Sequence, residues 1–203
     1  MYHYKRSLVT RYPHLDLPLP LELVNSRFAS RGQLVDALAT PEDLDAWLQT
    51  NAERLEVDLS DVSVTRATPA LLDRFRLLRA AVHDSLAAAI EAAPPSPAAV
   101  QLLNEAAAAA PRFPRLDVRD GAYHLHMVDG ADSEAVVLAS VARATMDLLV
   151  GPDLGRLRRC SGPGCVLFFL RERRRREWCS DACGNRARVA RHYEHHRQAA
   201  LRR

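Results

Sequence analysis

The chain has 203 residues, 48% hydrophobic and 26% charged, with a formal net charge of +3, which excludes a mainly disordered protein and allows a sizeable core in one domain or two. The longest apolar stretch, Ala135 to Val150, is interrupted by Ser140, Arg143, Thr145 and Asp147, so no membrane span is expected. No run of about 7–15 apolar residues follows the basic start MYHYKRSLVTRYPHLDLPLP, so no secretory signal is expected, and the cytoplasm, where thiols stay reduced, is the expected compartment.

LPLELVNSRF fits a strand or a short helix, and its periodicity does not decide between them. Three helices then share one start signal, a hydroxyl N-cap followed by proline. Thr40-Pro41 opens PEDLDAWLQT, with Asp43 at the capping-box position. Thr68-Pro69 opens the longest helix, PALLDRFRLLRAAVHDSLAAAIEA, where Leu71, Phe75, Leu78, Val82, Leu86 and Ile90 form one apolar stripe. Ser96-Pro97 opens PAAVQLLNEAAAAA, which Pro111 ends. Arg79, His83 and Asn104, polar residues on these apolar stretches, read as surface or capping contacts.

RLDVRDGAYHLHMVDG alternates on both sides of Asp120-Gly121 and predicts a β-hairpin. Its His124 and His126 share one strand face and read as solvent-facing residues. Asp132-Ser133 starts a helix to about Val150, closed by Gly151-Pro152, and a short link through Leu157 follows.

All four cysteines lie in CSGPGCVLFFLRERRRREWCSDACGNR, spaced C-x4-C, thirteen residues, C-x3-C. Two close pairs about a dozen residues apart are the usual way of holding one tetrahedral zinc ion. Ser161-Gly162-Pro163-Gly164 suits a knuckle between Cys160 and Cys165. Val166 to Leu170 reads as a strand, Arg171 to Arg176 as a charged turn, and Trp178 as the start of a return strand. Ser180 N-caps a helix carrying Cys183 in its first turn, where a thiolate is favoured. Two disulfides, an iron–sulfur cluster or four unconnected thiols are the alternatives. Four thiolates leave no open coordination position, so the zinc would be structural. The expected fold class is therefore α+β, mostly α: a helical N-terminal domain with a β-hairpin (1–155), then a small treble-clef-like four-cysteine zinc finger (156–203).

Charge divides the same way. Arg156 to Arg203 holds 14 arginines against four acids, a net +10, while the first 155 residues carry 14 basic and 21 acidic groups, a net −7. Along the last helix, Ala187, Val189, Ala190 and Tyr193 share an arc with Cys183, which should pack on the zinc core. Arg188, Arg191, His192 and His195 lie opposite. Arg173, Arg174, Arg175 and Arg176 form a second basic group at the predicted hairpin tip. Arg186 reads first as an inward hydrogen bond to backbone or sulfur and second as a ligand contact; Asn185 suits either. Phosphate backbone is the commonest partner for such a patch, so DNA is the expected partner.

WCSDACGNR with its upstream C-x4-C pair resembles the CGNR zinc-finger family. LELVNS, DALATPEDLDAWL, LRAAVHDSL, LLNEAA and ASVARATMDLL leading into RLRRC resemble the ABATE domain that precedes that finger. The resemblance implies that Cys160, Cys165, Cys179 and Cys183 are zinc ligands and that Gly184-Asn185-Arg186 is the family hallmark. It also implies a bacterial stress-responsive transcription regulator with a sensing domain before a DNA-binding finger. Arg171 to Glu177 departs from the family, whose members commonly have a small polar stretch with an aspartate there.

The leading expectation is a zinc-dependent DNA-binding transcription regulator whose N-terminal domain senses a small ligand or mediates homodimerisation. The alternative is a zinc-stabilised protein-interaction or RNA-binding module. No Gly-rich phosphate loop, G-x-S-x-G, HExxH or open metal triad occurs, and His83 with Asp84 makes only a nominal site, so an enzyme is not expected.

Overall fold

The computed structural model describes residues 17–55, 66–172 and 175–201. Arg173, Arg174 and most of the N-terminal segment considered as a leader lie outside the described residues. The fold class is the expected one: helices dominate, and the strands form three separate antiparallel pairs.

LPLELV becomes helix α1 (Leu19–Val24), settling the ambiguity of that stretch. It is followed by strands β1 (Arg27–Ser30) and β2 (Gln33–Asp36). The turn between them places Arg31 (φ 51) and Gly32 (φ 78) in the left-handed region. Helices α2 (Pro41–Thr50), α3 (Ala52–Leu55), α4 (Pro69–Glu91) and α5 (Pro97–Ala108) come next. The hydroxyls of Thr40, Thr68 and Ser96 each accept the N–H three residues on, and Asp43 closes the capping box on Thr40.

Strands β3 (Arg112–Arg119) and β4 (Ala122–Asp129) form the expected hairpin, turning at Asp120 (φ 52) and Gly121 (φ 77). Helix α6 (Ser133–Val150) is N-capped by Asp132. The main core lies among α1, α2, α4, α5 and α6, where Trp47 and Phe75 meet edge to face at 5.7 Å. Of the α4 stripe, Leu71 to Leu86 are buried and Ile90 packs at the margin.

A short 3-10 turn (Pro152–Arg156) leads into β5 (Leu157–Arg159), which pairs with β6 (Phe168–Leu170); helix α7 (Asp181–Leu201) ends the described chain. The pairing corrects the expected finger hairpin. Val166 to Leu170 does not turn back on Trp178; β6 pairs with β5, the segment just before Cys160. The turn joining them is the cysteine knuckle itself, because Cys160 N–H donates to Leu167 O at 2.9 Å. The described partner of β6 therefore lies before the cysteine knuckle and not after Arg176.

Consecutive side chains of a strand face opposite ways. Phe168 enters the helical core, with Leu157 beside it, while Phe169 enters a second core around the cysteines. That second core is small, comprising Leu167, Phe169 and three buried cysteines, with Cys165, Trp178 and Phe28 packed against it. Phe28 comes from β1, so the N-terminal hairpin helps to cover the cysteine cluster.

Candidate metal centre and nucleic-acid interface

Tight local geometry brings the thiols together. Cys165 N–H donates to Gly162 O at 2.9 Å, and Gly164 (φ 70) completes the knuckle. Gly162 is packed so closely that a Cβ there would lie 3.0 Å from the Cβ of Cys183. The knuckle is tied to the second pair through Ser161, whose N–H and hydroxyl both donate to Glu177 O. Ser180 Oγ caps α7 by accepting the N–H of Cys183.

The four Sγ atoms all lie within 4.8 Å of one another, with Cys165–Cys179 at 3.8 Å and Cys179–Cys183 at 3.5 Å. Four metal–sulfur bonds of about 2.3 Å in a tetrahedron require sulfurs about 3.8 Å apart. The cluster has that size, and all four residues are free thiols, which removes the disulfide alternative.

Hydrogen bonds to sulfur point the same way. Cys160 Sγ accepts from the backbone N–H of Gly162 and Cys179, and Cys183 Sγ accepts from Arg186 Nη2 at 3.0 Å. The neighbouring Cys165 and Cys179 thiols, with these N–H groups, hold Cys160 far below the ordinary thiol range. Cys165 is pushed up chiefly by Cys160, and Cys179 is pushed up by Cys160 and then Cys165. Charge on Cys160 thus disfavours charge on Cys165 and Cys179, a repulsion that a bound divalent cation offsets.

The expected basic residues are placed unevenly. Asn185, Arg186, Arg188, Arg191, His192 and His195 are all exposed on the first four turns of α7. Arg188 and Arg191 each hold a guanidinium 5.8 Å from the centre of the Trp178 ring. Arg188 also donates to Asn185 Oδ1, and the rings of His192 and His196 approach to 3.1 Å between Nε2 atoms. Arg186 has the inward sulfur contact expected first.

Arg175 is exposed. Arg176 instead folds inward, its Nε donating to Trp178 O and its Nη2 to Cys179 O, with the guanidinium over the Phe169 ring. It braces the second cysteine pair.

The expected apolar arc of α7 is only partly realised. Cys183 and Ala187 are buried, but Val189 is 54% and Tyr193 70% exposed. The finger core is too small to cover more than the first two turns, so the rest of the helix projects from it.

The family-model comparison decides the relationship. Residues 17–152 match the model described as ABATE, "Putative stress-induced transcription regulator", and residues 156–196 match the CGNR zinc finger. The chain belongs to the ABATE family. Its C-terminal module is a CGNR zinc finger, whose clustered cysteines bind structural zinc, and the ABATE segment precedes it as the sequence resemblance implied. No curated protein matches this ABATE chain. Among its described residues no helix is long and apolar enough to cross a membrane.

Sequence reasoning misplaced Arg79. Arg79 is neither a surface nor a capping residue; it is buried, donating to Asp36 Oδ1 and Oδ2 and to Ser26 Oγ. Burial disfavours the Asp36 carboxylate, but the bonds from Arg79 and from Leu38 N–H outweigh it and hold Asp36 below its ordinary range. His83 is exposed, as expected, with its ring edge-on to Phe168 at 5.2 Å. Asn104 lines a shallow groove between α4, α5 and α6. Asn25 was missed altogether. None of these contacts has a local pattern, because each joins positions far apart in sequence.

Proposed function

We propose that this ABATE chain is a zinc-dependent, DNA-binding transcription regulator, with residues 1–155 as regulatory domain and 156–203 as reader. Cys160, Cys165, Cys179 and Cys183 hold the zinc, whose chemistry is to neutralise four thiolates and pin the start of α7. The observation that carries this reading is the exposed cationic face of α7, rooted in the metal cluster at Cys183. Arg188, Arg191, His192 and His195 supply that face, with Asn185, Arg186 and Arg175 at its base. Arg173 and Arg174 are further candidate contacts in the sequence, and Arg176 serves as the brace. A helix presenting arginines fits a major groove, where arginine reads guanine and also holds phosphate.

The test is mobility shift or anisotropy with zinc-loaded protein across a salt series. Neutralising about five phosphates gives a log–log slope of about −4 to −5. Absence of DNA binding at low salt rejects the reading, and salt-insensitive capture of a protein, or preference for RNA, favours the interaction-module alternative.

One observation favours dimerisation as a role of the regulatory domain. Pro114, Leu116 and Val118 face Met127, Leu125 and Tyr123 across the β3–β4 register, so all six share one face of the hairpin. Leu116, Val118, Tyr123, Leu125 and Met127 are each at least half exposed. A two-stranded hairpin is marginal unless its apolar face is covered, and one such face is self-complementary across a two-fold axis. Light scattering should give a dimer that Leu116→Glu with Leu125→Lys converts to monomer; a monomeric wild-type chain overturns this second reading.

A further inference from the structure

Where β1–β2 and α4 meet the finger, the fold leaves a cleft of about 380 Å³, within the size range of small-molecule sites. Val24, Leu34 and Ala80 form apolar wall on the helical side and Val166 on the finger side. Its charged lining is all of one sign: Arg27 from β1, Arg76 and Arg79 from α4, and Arg159 from β5, with His83 between them.

These cations differ in what they are already bound to. Arg79 is occupied by Asp36 and Ser26, and Arg76 by Asp73 and the carbonyls of Leu38 and Ala39. Arg27 stands opposite Asp36 in the β1–β2 register and attracts that carboxylate, which Arg79 already holds. Arg159 has no ion-pair partner among the described residues. Arg27 and Arg159 lie close enough that both oppose protonation of His83, after its burial, which is the larger cause. Arg27 and Arg159 are exposed to solvent, which screens their repulsion, and an anion placed between them gains a charge-assisted contact from each.

We infer that this cleft binds a small organic anion, a carboxylate or phosphate monoester carrying a compact apolar group. Its acid group lies between Arg27 and Arg159, and its apolar part against Leu34 and Val166. The site joins the two parts of the molecule: Arg27 belongs to the N-terminal hairpin, whereas Arg159 immediately precedes Cys160 and pairs with Phe168. An anion bridging the two arginines draws the finger strand toward the helical domain. The inference deepens the ligand-sensing role expected of the ABATE domain and rests on it.

The experiment titrates zinc-loaded full-length protein with phenyl phosphate and, separately, benzoate, at fixed ionic strength without DNA. Binding is read by calorimetry and by the thermal midpoint up to about 20 mM, a range that captures millimolar affinity. Either probe should give a saturable midpoint rise, and the one that does so more tightly identifies the acid class. Arg27→Gln and Arg159→Gln should each weaken binding about tenfold or more, as loss of a charge-assisted bond requires. Arg115→Gln, on the β3–β4 hairpin, should change nothing. Zinc content is measured alongside, so that Arg159→Gln is read only as a folded protein; Arg27→Gln carries the test if it is not.

No saturable response to either probe overturns the inference, as does an undiminished response in Arg27→Gln. If the probes fail while Arg27→Gln weakens DNA binding, the cleft holds a backbone phosphate and the small-anion inference falls. DNA binding is measured without the probes, so the two proposals fail separately.

Discussion

Asn25 and Phe168 are 143 positions apart and share two buried hydrogen bonds. Asn25 Nδ2 donates to Phe168 O and its Oδ1 accepts Phe168 N–H, both at 2.8 Å. The carboxamide thus acts as one more strand beside β6, satisfying both backbone groups of a residue whose ring lies in the helical core. Asn25→Leu should leave the N–H and C=O of Phe168 buried without partners. The expected cost is about 2–4 kcal/mol, seen as a lower urea midpoint of the zinc-loaded protein. An unchanged midpoint would mean that water replaces the amide.

Gly184 sits under the indole of Trp178, and a Cβ there would come within 3.0 Å of Cε3. Glycine inside a helix ordinarily costs about 1 kcal/mol against alanine, so its presence in the first turn of α7 has a packing reason. Gly184→Val adds β-branched bulk against the ring and should destabilise the finger by about 1–3 kcal/mol. Faster zinc loss to a chromogenic chelator is the readout.

Withdrawing the metal should affect one part of the molecule more than the other. Trp47 is buried in the helical core and Trp178 packs on the cysteine cluster, so each tryptophan reports on its own region. With Trp47→Phe, chelation should shift the remaining emission and reduce the helical circular dichroism by the contribution of α7. With Trp178→Phe, the emission of Trp47 should stay almost constant. Cys179→Ser should reproduce the chelated state. Equal loss of both signals would show that the helical domain does not hold its fold without the finger.

His83 gives a pH signature of defined sign. Burial lowers its pKa below 6.5, Arg159 and Arg27 lower it further, and Asp84 opposes them. The unfolded chain therefore takes up a proton before the folded one does. The contribution to stability is complete above pH 6.5, declines as pH falls through that value and levels off once folded His83 is protonated. Urea midpoints from about pH 7.5 to 5.5 should fall less steeply for His83→Gln than for the wild-type chain. The comparison removes the separate effect of protons competing for the cysteines, which both proteins share. Parallel slopes would count against this account.

Sequence signals were clearest where they were local. The hydroxyl–proline caps at Thr40, Thr68 and Ser96, the Asp120-Gly121 turn and the knuckle glycines act within a few residues, and all were legible. The cysteine spacing gave the metal cluster for the same reason. What could not be read depends on long-range geometry: which strand pairs with β6, whether Arg79 points in or out, and how far α7 is covered. The helical wheel grouped Val189 and Tyr193 with Cys183, but at about 100° per residue they lie roughly 120° and 80° from it. Both are exposed, and a wheel also carries no information on how large the opposing core is. Arg176 shows the same limit, since an arginine in a charged run looks identical whether it faces solvent or caps two carbonyls.

The alternation of Phe168 and Phe169 acts like gear teeth engaged on both sides of β6. Sliding the strand by one residue would exchange the two rings between unlike cavities, so its register is locked. β6 thus ties the core around the cysteines, from which α7 starts, to the helical bundle.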